Sequence, residues 1–162
     1  MDNHMIRIGT DVHGVIMDKF DKSKSVEEYL ATVPLKHATK VIKNIIDLYG
    51  AENTFIISKC PMYAEDEIIK WLDNQNFFTD IGFIHSNVYF CRERTDKAPI
   101  AKQLRLTHFI DDRVDVLDAM KDVVSNRILF TGGDNHEESD DKTITELDDW
   151  SSVQDYITKT VY

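Results

Sequence analysis

Apolar and polar positions follow two rhythms along the chain. Short apolar, β-rich runs are each followed by a longer stretch of helical period, the signature of βαβ units around a parallel sheet. Met5 to Thr10 predicts the first strand, and Pro34 opens a helix in which Val41, Ile42, Ile45, Ile46 and Tyr49 recur at intervals of three and four before Gly50 ends it. Thr54 to Ser58 is nearly all apolar, as a central parallel strand is, and a helix from about Ala64 to Asn74 presents Ile68, Ile69 and Leu72. A weaker strand is expected at Asn87 to Cys91, after which Asp96 is placed to cap a helix from Lys97 to about Arg105. His108 to Ile110 predicts a short buried strand, followed by a helix from about Val114 to Lys121 and a strand from Arg127 to Thr131. A closing helix from Ser151 to Lys159 packs through Val153, Tyr156 and Ile157, with Trp150 at its start.

Two stretches stand outside this alternation. Ser25-Val-Glu-Glu28 reads as a capping box that starts a short helix through Leu30. Gly132 to Lys142 is rich in Asp and Glu and has no large apolar side chain, so a solvated surface loop is expected there. Nothing repeats at a fixed period, and 162 residues suffice for one domain, 1–162, with a core that needs no metal or disulfide as a staple.

Charge narrows the partners. Lys plus Arg number 19 against 29 for Asp plus Glu, a formal net charge of -10. That field repels a polyanion, and the basic residues are scattered, so long nucleic acids and anionic membranes are disfavoured while a local phosphate pocket is not. Cys60 and Cys91 sit in strand-like segments, where a free cysteine packs as a small hydrophobe. His37, His85, His108 and His136 lack a paired metal-ligand spacing. The first residues lack the pattern of a signal peptide, and no stretch reaches the ~18 apolar residues of a membrane span, so a soluble, cytoplasmic protein is expected.

In open parallel α/β sheets ligands bind outside the carboxyl ends of the strands, so polar residues placed just after apolar strands are the candidates for chemistry. The first strand runs into Asp11-Val12-His13-Gly14, the second ends in Ser58-Lys59, Lys97 opens a helix, and the His108 strand runs into Asp111-Asp112-Arg113. A carboxylate at one strand end and an acidic pair at another can jointly hold Mg²⁺, which takes oxygen ligands and keeps waters for phosphate to replace. An isolated, desolvated acidic pair would otherwise be penalised. Ser58 offers a hydroxyl to phosphate oxygens, and Lys97 a cation between nucleophile and phosphate.

In order and spacing, these four positions resemble the four motifs of the haloacid dehalogenase superfamily: an aspartate after strand one, Ser or Thr after the next core strand, a lysine, then an acidic pair. The resemblance runs from about Ile6 to Phe130, and Thr107 to Arg113 is similar to the fourth motif of its nucleotidase-like and polynucleotide-phosphatase-like members. It implies a three-layer, Rossmann-like α/β fold with helices on both faces of a parallel sheet. It also implies phosphoryl transfer through an aspartyl-phosphate on Asp11. Asp11, the backbone carbonyl of His13, and Asp111 or Asp112 would bind Mg²⁺. Lys97 and Ser58, with Lys59 and backbone amides freed by Gly14, would bind the phosphate.

The chain departs from the superfamily pattern at His13. Phosphatases of this kind carry a second aspartate there, which protonates the leaving group and then activates water. A histidine can do acid-base work, so catalytic residues Asp11, His13 and Lys97 form one reading. The others are a slow enzyme or phosphotransferase, and a domain that binds metal and a phosphorylated ligand or partner without turnover. The dehalogenase branch does not use Mg²⁺ and leaves the acidic pair unexplained, and response-regulator receivers order their acidic residues the other way. Only about Met17 to Val33 remains for a cap insertion, so the site is expected to be open. An open site suits a phosphorylated small molecule or macromolecule, or a lid lent by a second subunit of a homo-oligomer.

Overall fold

The structure, a computed structural model, describes residues 5–161. Residues 1–4 and 162 of the expected domain lie outside the described residues. Six strands form one parallel sheet: β1 (Ile8–Thr10), β2 (Thr54–Lys59), β3 (Val88–Cys91), β4 (His108–Asp111), β5 (Asn126–Phe130) and β6 (Ile144–Leu147), in the order β3-β2-β1-β4-β5-β6. Six α-helices accompany them: α1 (Val26–Leu30), α2 (Ala38–Tyr49), α3 (Glu65–Asn74), α4 (Lys97–Gln103), α5 (Val114–Ala119) and α6 (Trp150–Lys159). The parallel three-layer α/β architecture is the one the strand-helix alternation and the resemblance imply.

The inner strands are apolar on both sides because both faces are covered. Along β2, Phe55 and Ile57 join Phe109, Leu129 and the buried residues of α4 and α5 on one face. The intervening Ile56 joins Ile8, Ile110, Ile128 and the buried residues of α2, α3 and α6 on the other. Helix α2 buries Val41, Ile42, Ile45 and Ile46 and stops at Gly50, whose φ of 96° suits a residue without Cβ. Helix α6 starts at Asp149, whose carboxylate accepts from the Ser152 amide at 2.7 Å. In α3 the buried residues are Ile68, Trp71 and Leu72. Trp71 takes the core position expected for Ile69, and its indole N–H donates to the Thr32 carbonyl at 2.8 Å, tying the segment before α2 to the core.

Three further expectations change. Helix α2 begins at Ala38 rather than at Pro34. Asp96 does not cap α4; its carboxylate accepts from the Glu93 amide at 3.1 Å in the 3₁₀ turn Arg94–Asp96 that leads into the helix. Strand β6 was not expected at all. It is an edge strand in which Ile144 alone is fully buried, and the connection from β5 contains no helix to announce it.

The strand order sets the site. From β1 the chain steps outward through β2 to β3, then returns to β4 on the other side of β1. The reversal leaves a crevice at the carboxyl ends of β1 and β4. The β1–β4 register pairs Thr10 with Ile110, and the Asp11 amide extends the ladder to the Ile110 carbonyl at 3.0 Å, so Asp11 and Asp111 emerge side by side.

Candidate active site

Asp11, Asp111 and Asp112 are buried and present carboxylate oxygens that all lie within 4.8 Å of one another. Lys97, the first residue of α4 and only 2 % exposed, reaches between them: its ammonium is 3.1 Å from Asp11 Oδ1 and 2.8 Å from Asp111 Oδ2. The Val12 amide also donates to Asp11 Oδ1, at 2.8 Å, and the Arg113 amide to Asp111 Oδ1, at 3.0 Å. One ammonium against three carboxylates leaves two negative charges unmatched in a desolvated pocket.

The titration of these groups records that imbalance. Burial pushes the Asp11 carboxyl up to about 6, with Lys97 offsetting part of the rise and Asp112 adding to it. Asp111 is pushed up to about 6 by burial against the pull of Lys97, and Asp112 to about 6 by burial and the charge of Asp111. Burial pulls the Lys97 ammonium down, but Asp11 and Asp111 outweigh it and hold the group above the ordinary lysine range.

The turn after β1 is closed on itself. The Gly14 amide donates to the Met17 carbonyl at 2.6 Å, and the Ile16 amide to the Val12 carbonyl at 2.8 Å. Gly14 has φ +85°, and a Cβ there would lie 2.2 Å from Asp112 Oδ2. The glycine therefore serves the close approach of the turn to the acidic pair, and its amide, already engaged, is not open to a phosphate as expected. From Val12 to Met17, the His13 amide is the one without an acceptor among the described residues.

The half-buried His13 ring meets Tyr29 and Phe20, each with centroids 5.8 Å away. His13 Nε2 is 2.9 Å from the Tyr29 hydroxyl. Burial, and then the charge of Lys97, lower the imidazole pKa to about 4, so the ring is neutral at pH 7. Tyr29 belongs to α1, whose Ser25–Glu28 capping box was legible. That its hydroxyl would engage His13 was not.

At the end of β2, Ser58 is fully buried, and its Oγ is the one buried side-chain nitrogen or oxygen among the described residues without a hydrogen-bond partner. The next residue, Lys59, is exposed and lines a cleft of about 300 Å³ together with Asp11, His13, Lys97 and Asp112. Phe20, 40 % exposed, stands on its wall, and no cap domain covers it among the described residues.

The segment 132–142 departs from the solvated loop expected of it. Burial alternates along it, with Thr131, Gly133, Asn135, Glu137 and Ser139 half-buried, as in an extended chain laid against the body. Asn135 Nδ2 donates to Asp112 Oδ2 at 3.1 Å and to the Asp112 carbonyl at 3.0 Å. Glu137 accepts from the Val114 amide at 2.8 Å, and Asp134 from the Lys19 amide at 3.1 Å. Asp134 and Glu137 thus satisfy backbone donors near a turn and at a helix start, which a composition reading takes for solvation. Asn135 lies five residues beyond the end of β5, too far for the strand-end rule that found Asp11.

No protein-family model matches the chain, and neither does any curated protein. Solved structures do. A D,D-heptose 1.7-bisphosphate phosphatase from B. bronchiseptica, crystallised with magnesium and phosphate, superposes with TM-score 0.70 at 13 % identity, covering 96 % of this chain and 99 % of that one. A haloacid dehalogenase-like family hydrolase from Xanthomonas campestris gives TM-score 0.69 at 9 % identity over 98 % and 97 % of the two chains. A HAD-superfamily hydrolase from Ehrlichia chaffeensis gives 0.59 at 8 % identity over 96 % and 97 %. At these identities the likeness is one of fold. It agrees with the resemblance read from the strand-end residues: this chain has the fold of the haloacid dehalogenase-like hydrolases.

Proposed function

We propose that the chain is a Mg²⁺-dependent phosphomonoester hydrolase acting through an aspartyl-phosphate on Asp11, with residues 1–162 as one cytoplasmic domain and 17–33 as a minimal cap. The observation that carries this reading is the buried triad Asp11, Asp111 and Asp112 bridged by Lys97. The residues fit the metal: every donor is a hard carboxylate oxygen, and a divalent cation matches the two unmatched charges. Asp11, Asp111, Asp112 and the His13 carbonyl would hold it. Bound there, Mg²⁺ supplies charge neutralisation to the transferring phosphoryl group. A fold neighbour holding magnesium and phosphate supports the same assignment.

The chain's own residues then divide the work. Asp11 Oδ1 is fixed by the Val12 amide and Lys97, which leaves Oδ2 to form the new bond to phosphorus as the ester P–O bond breaks. Lys97 keeps its proton and offsets phosphate charge. The partnerless Ser58 hydroxyl and the His13 amide donate to phosphoryl oxygens, and Lys59 adds to the positive field of the cleft. When His13 Nε2–H donates to the Tyr29 oxygen, Nδ1 keeps its lone pair and can take a proton from the water that hydrolyses the aspartyl-phosphate. The N–H of a neutral ring is too weak an acid to protonate the leaving group. Aryl phosphates, which leave unassisted, should therefore outrun alkyl phosphates by at least about tenfold in kcat/KM. Initial rates on p-nitrophenyl phosphate and a series of alkyl phosphates, with and without Mg²⁺, test both points. Absence of Mg²⁺-dependent turnover across the series refutes the enzyme reading.

The engagement of His13 by Tyr29 favours one second reading, a catalytically weak or inactive domain that binds metal and a phosphorylated ligand or partner. In that case Mg²⁺ raises Tm, turnover is absent, and His13→Asp restores some of it.

Asn135 is assigned the task of orienting the Asp112 carboxylate toward the metal. Asn135→Ala should weaken Mg²⁺ binding about tenfold, read by titration calorimetry at pH 7.5. An unchanged Mg²⁺ affinity removes Asn135 from the site.

A further inference from the structure

Five cations border the cleft over Asp11. Lys19, Lys59, Arg94, Lys97 and Arg113 line it beside Asp11 and Asp112, and Asp111, Asp115 and Glu137 pair with Lys97, Arg94 and Arg113. Some of this charge is already used. Lys97 is bound between Asp11 and Asp111, and Arg113 is shared between Asp115 at 3.3 Å and Glu137 at 3.9 Å. Lys59 is exposed and forms no ion pair among the described residues. Arg94 pairs with Asp115 at 3.1 Å, but the two side chains are 42 % and 52 % exposed, so solvent screens the pair and an incoming anion can compete with it.

Chain geometry places these two cations together. Lys59 ends β2, one residue after Ser58, and Arg94 opens the 3₁₀ turn that follows the neighbouring strand β3. Both also line an adjoining cleft of about 300 Å³ with Glu93, Thr95 and Asp115. Lys59 and Arg94 thus stand where the two clefts meet. The transferring phosphoryl group already has Lys97 on the Asp11 side. Lys59, without an ion-pair partner among the described residues, and Arg94, in a solvent-screened pair, are therefore open to a further anion on the β2–β3 side of the crevice.

We propose that Lys59 and Arg94 form a second anion subsite, so that the substrate is a phosphomonoester carrying a second anionic group, either another phosphate or a carboxylate. The proposal rests on the reading of Asp11 as the site of the first phosphate. Binding tests it without turnover, using wild-type protein with Mg²⁺ in a calorimeter. The probes are non-hydrolysable analogues, in which CH₂ replaces the ester oxygen, of the bisphosphates of straight-chain diols of about three to six carbons, of the matching monophosphates, and of the ω-carboxyalkyl phosphates of the same lengths. A charge-assisted contact of this kind makes at least one bisphosphate about tenfold tighter than its monophosphate. The carboxylate series tells whether the subsite needs a phosphate. Arg94→Ala and Lys59→Ala in the same background should each cut the preference to about threefold or less, and raised salt should shrink it. Equal affinity for mono- and bis-anionic ligands, or a preference intact in both variants, overturns the subsite alone. Failure of every phosphate to bind overturns the subsite together with the reading beneath it.

Discussion

Asp11→Asn should abolish Mg²⁺-dependent turnover, on the order of ten-thousandfold or more in kcat, and should at the same time leave the metal-free protein as stable as before or more so at pH 7.5. The loss follows from chemistry: an amide oxygen is a poor nucleophile and cannot carry the phosphoryl group. The stability follows from electrostatics. Burial and the charge of Asp112 outweigh the attraction of Lys97, and the folded carboxyl titrates near 6 against 3.8 for the free group. A carboxyl whose folded pKa is raised contributes stability that is fully present below about 3.8 and lost as the pH rises through 6, so at pH 7.5 the ionised group is a burden of roughly 3 kcal/mol that a neutral amide of the same shape avoids. Steady-state rates and thermal melts in the absence of metal read the two effects. A variant that keeps even one per cent of wild-type kcat contradicts Asp11 as nucleophile. A variant that melts well below wild type contradicts the charge imbalance.

Lys97→Met should do the opposite to stability. Methionine fills the volume of the lysine stem but leaves Asp11 and Asp111 buried without their common cation. Removing one member of a buried ionic cluster costs about 3–5 kcal/mol, which for a chain of this size lowers Tm on the order of 10 °C at pH 7.5. The deficit should be pH-dependent. Without Lys97 the two carboxyls rise further above their unfolded values, so the stability they contribute at low pH is lost as the pH climbs through the folded pKa values, now above 6. Near pH 5 both are protonated and the variant should approach wild type. Mg²⁺ at pH 7.5 should recover part of the loss. Melting curves at pH 5 and 7.5, with and without Mg²⁺, decide the matter; a deficit of equal size under all conditions would mean that Lys97 matters only as packing.

The parts of this molecule that were legible in the sequence share one physical property: they are buried on both sides or sit immediately beyond such a segment. Strands β1, β2, β4 and β5 are buried along almost their whole length because helices cover both faces, and the residues that follow them are the ones the topology gathers. Asp11, Lys97, Asp111 and Asp112 were picked out on that basis, and the structure brings them into contact. Strand β6 was invisible because an edge strand needs little burial and its connection carries no helix. The His13–Tyr29 contact joins residues whose local sequence says nothing about each other. Asn135 was hidden differently. Its neighbours are Gly, Asp and Glu, whose composition suggests solvation, yet Asp134, Glu137 and Asp141 each answer a particular amide or guanidinium.

That extended stretch between β5 and β6 has a consequence for how the chain can vary. Its half-buried positions fall on every second residue, and Asn135 and Glu137, two apart, must land on Asp112 and Val114, also two apart. Loss or gain of a single residue would turn the buried set outward and send Asp134 or His136 toward the acidic pair. The stretch that looks most expendable by composition is therefore one whose length is fixed, where substitutions at the odd-numbered positions and at Asp134 matter and those at exposed Glu138 and Asp140 are free to drift.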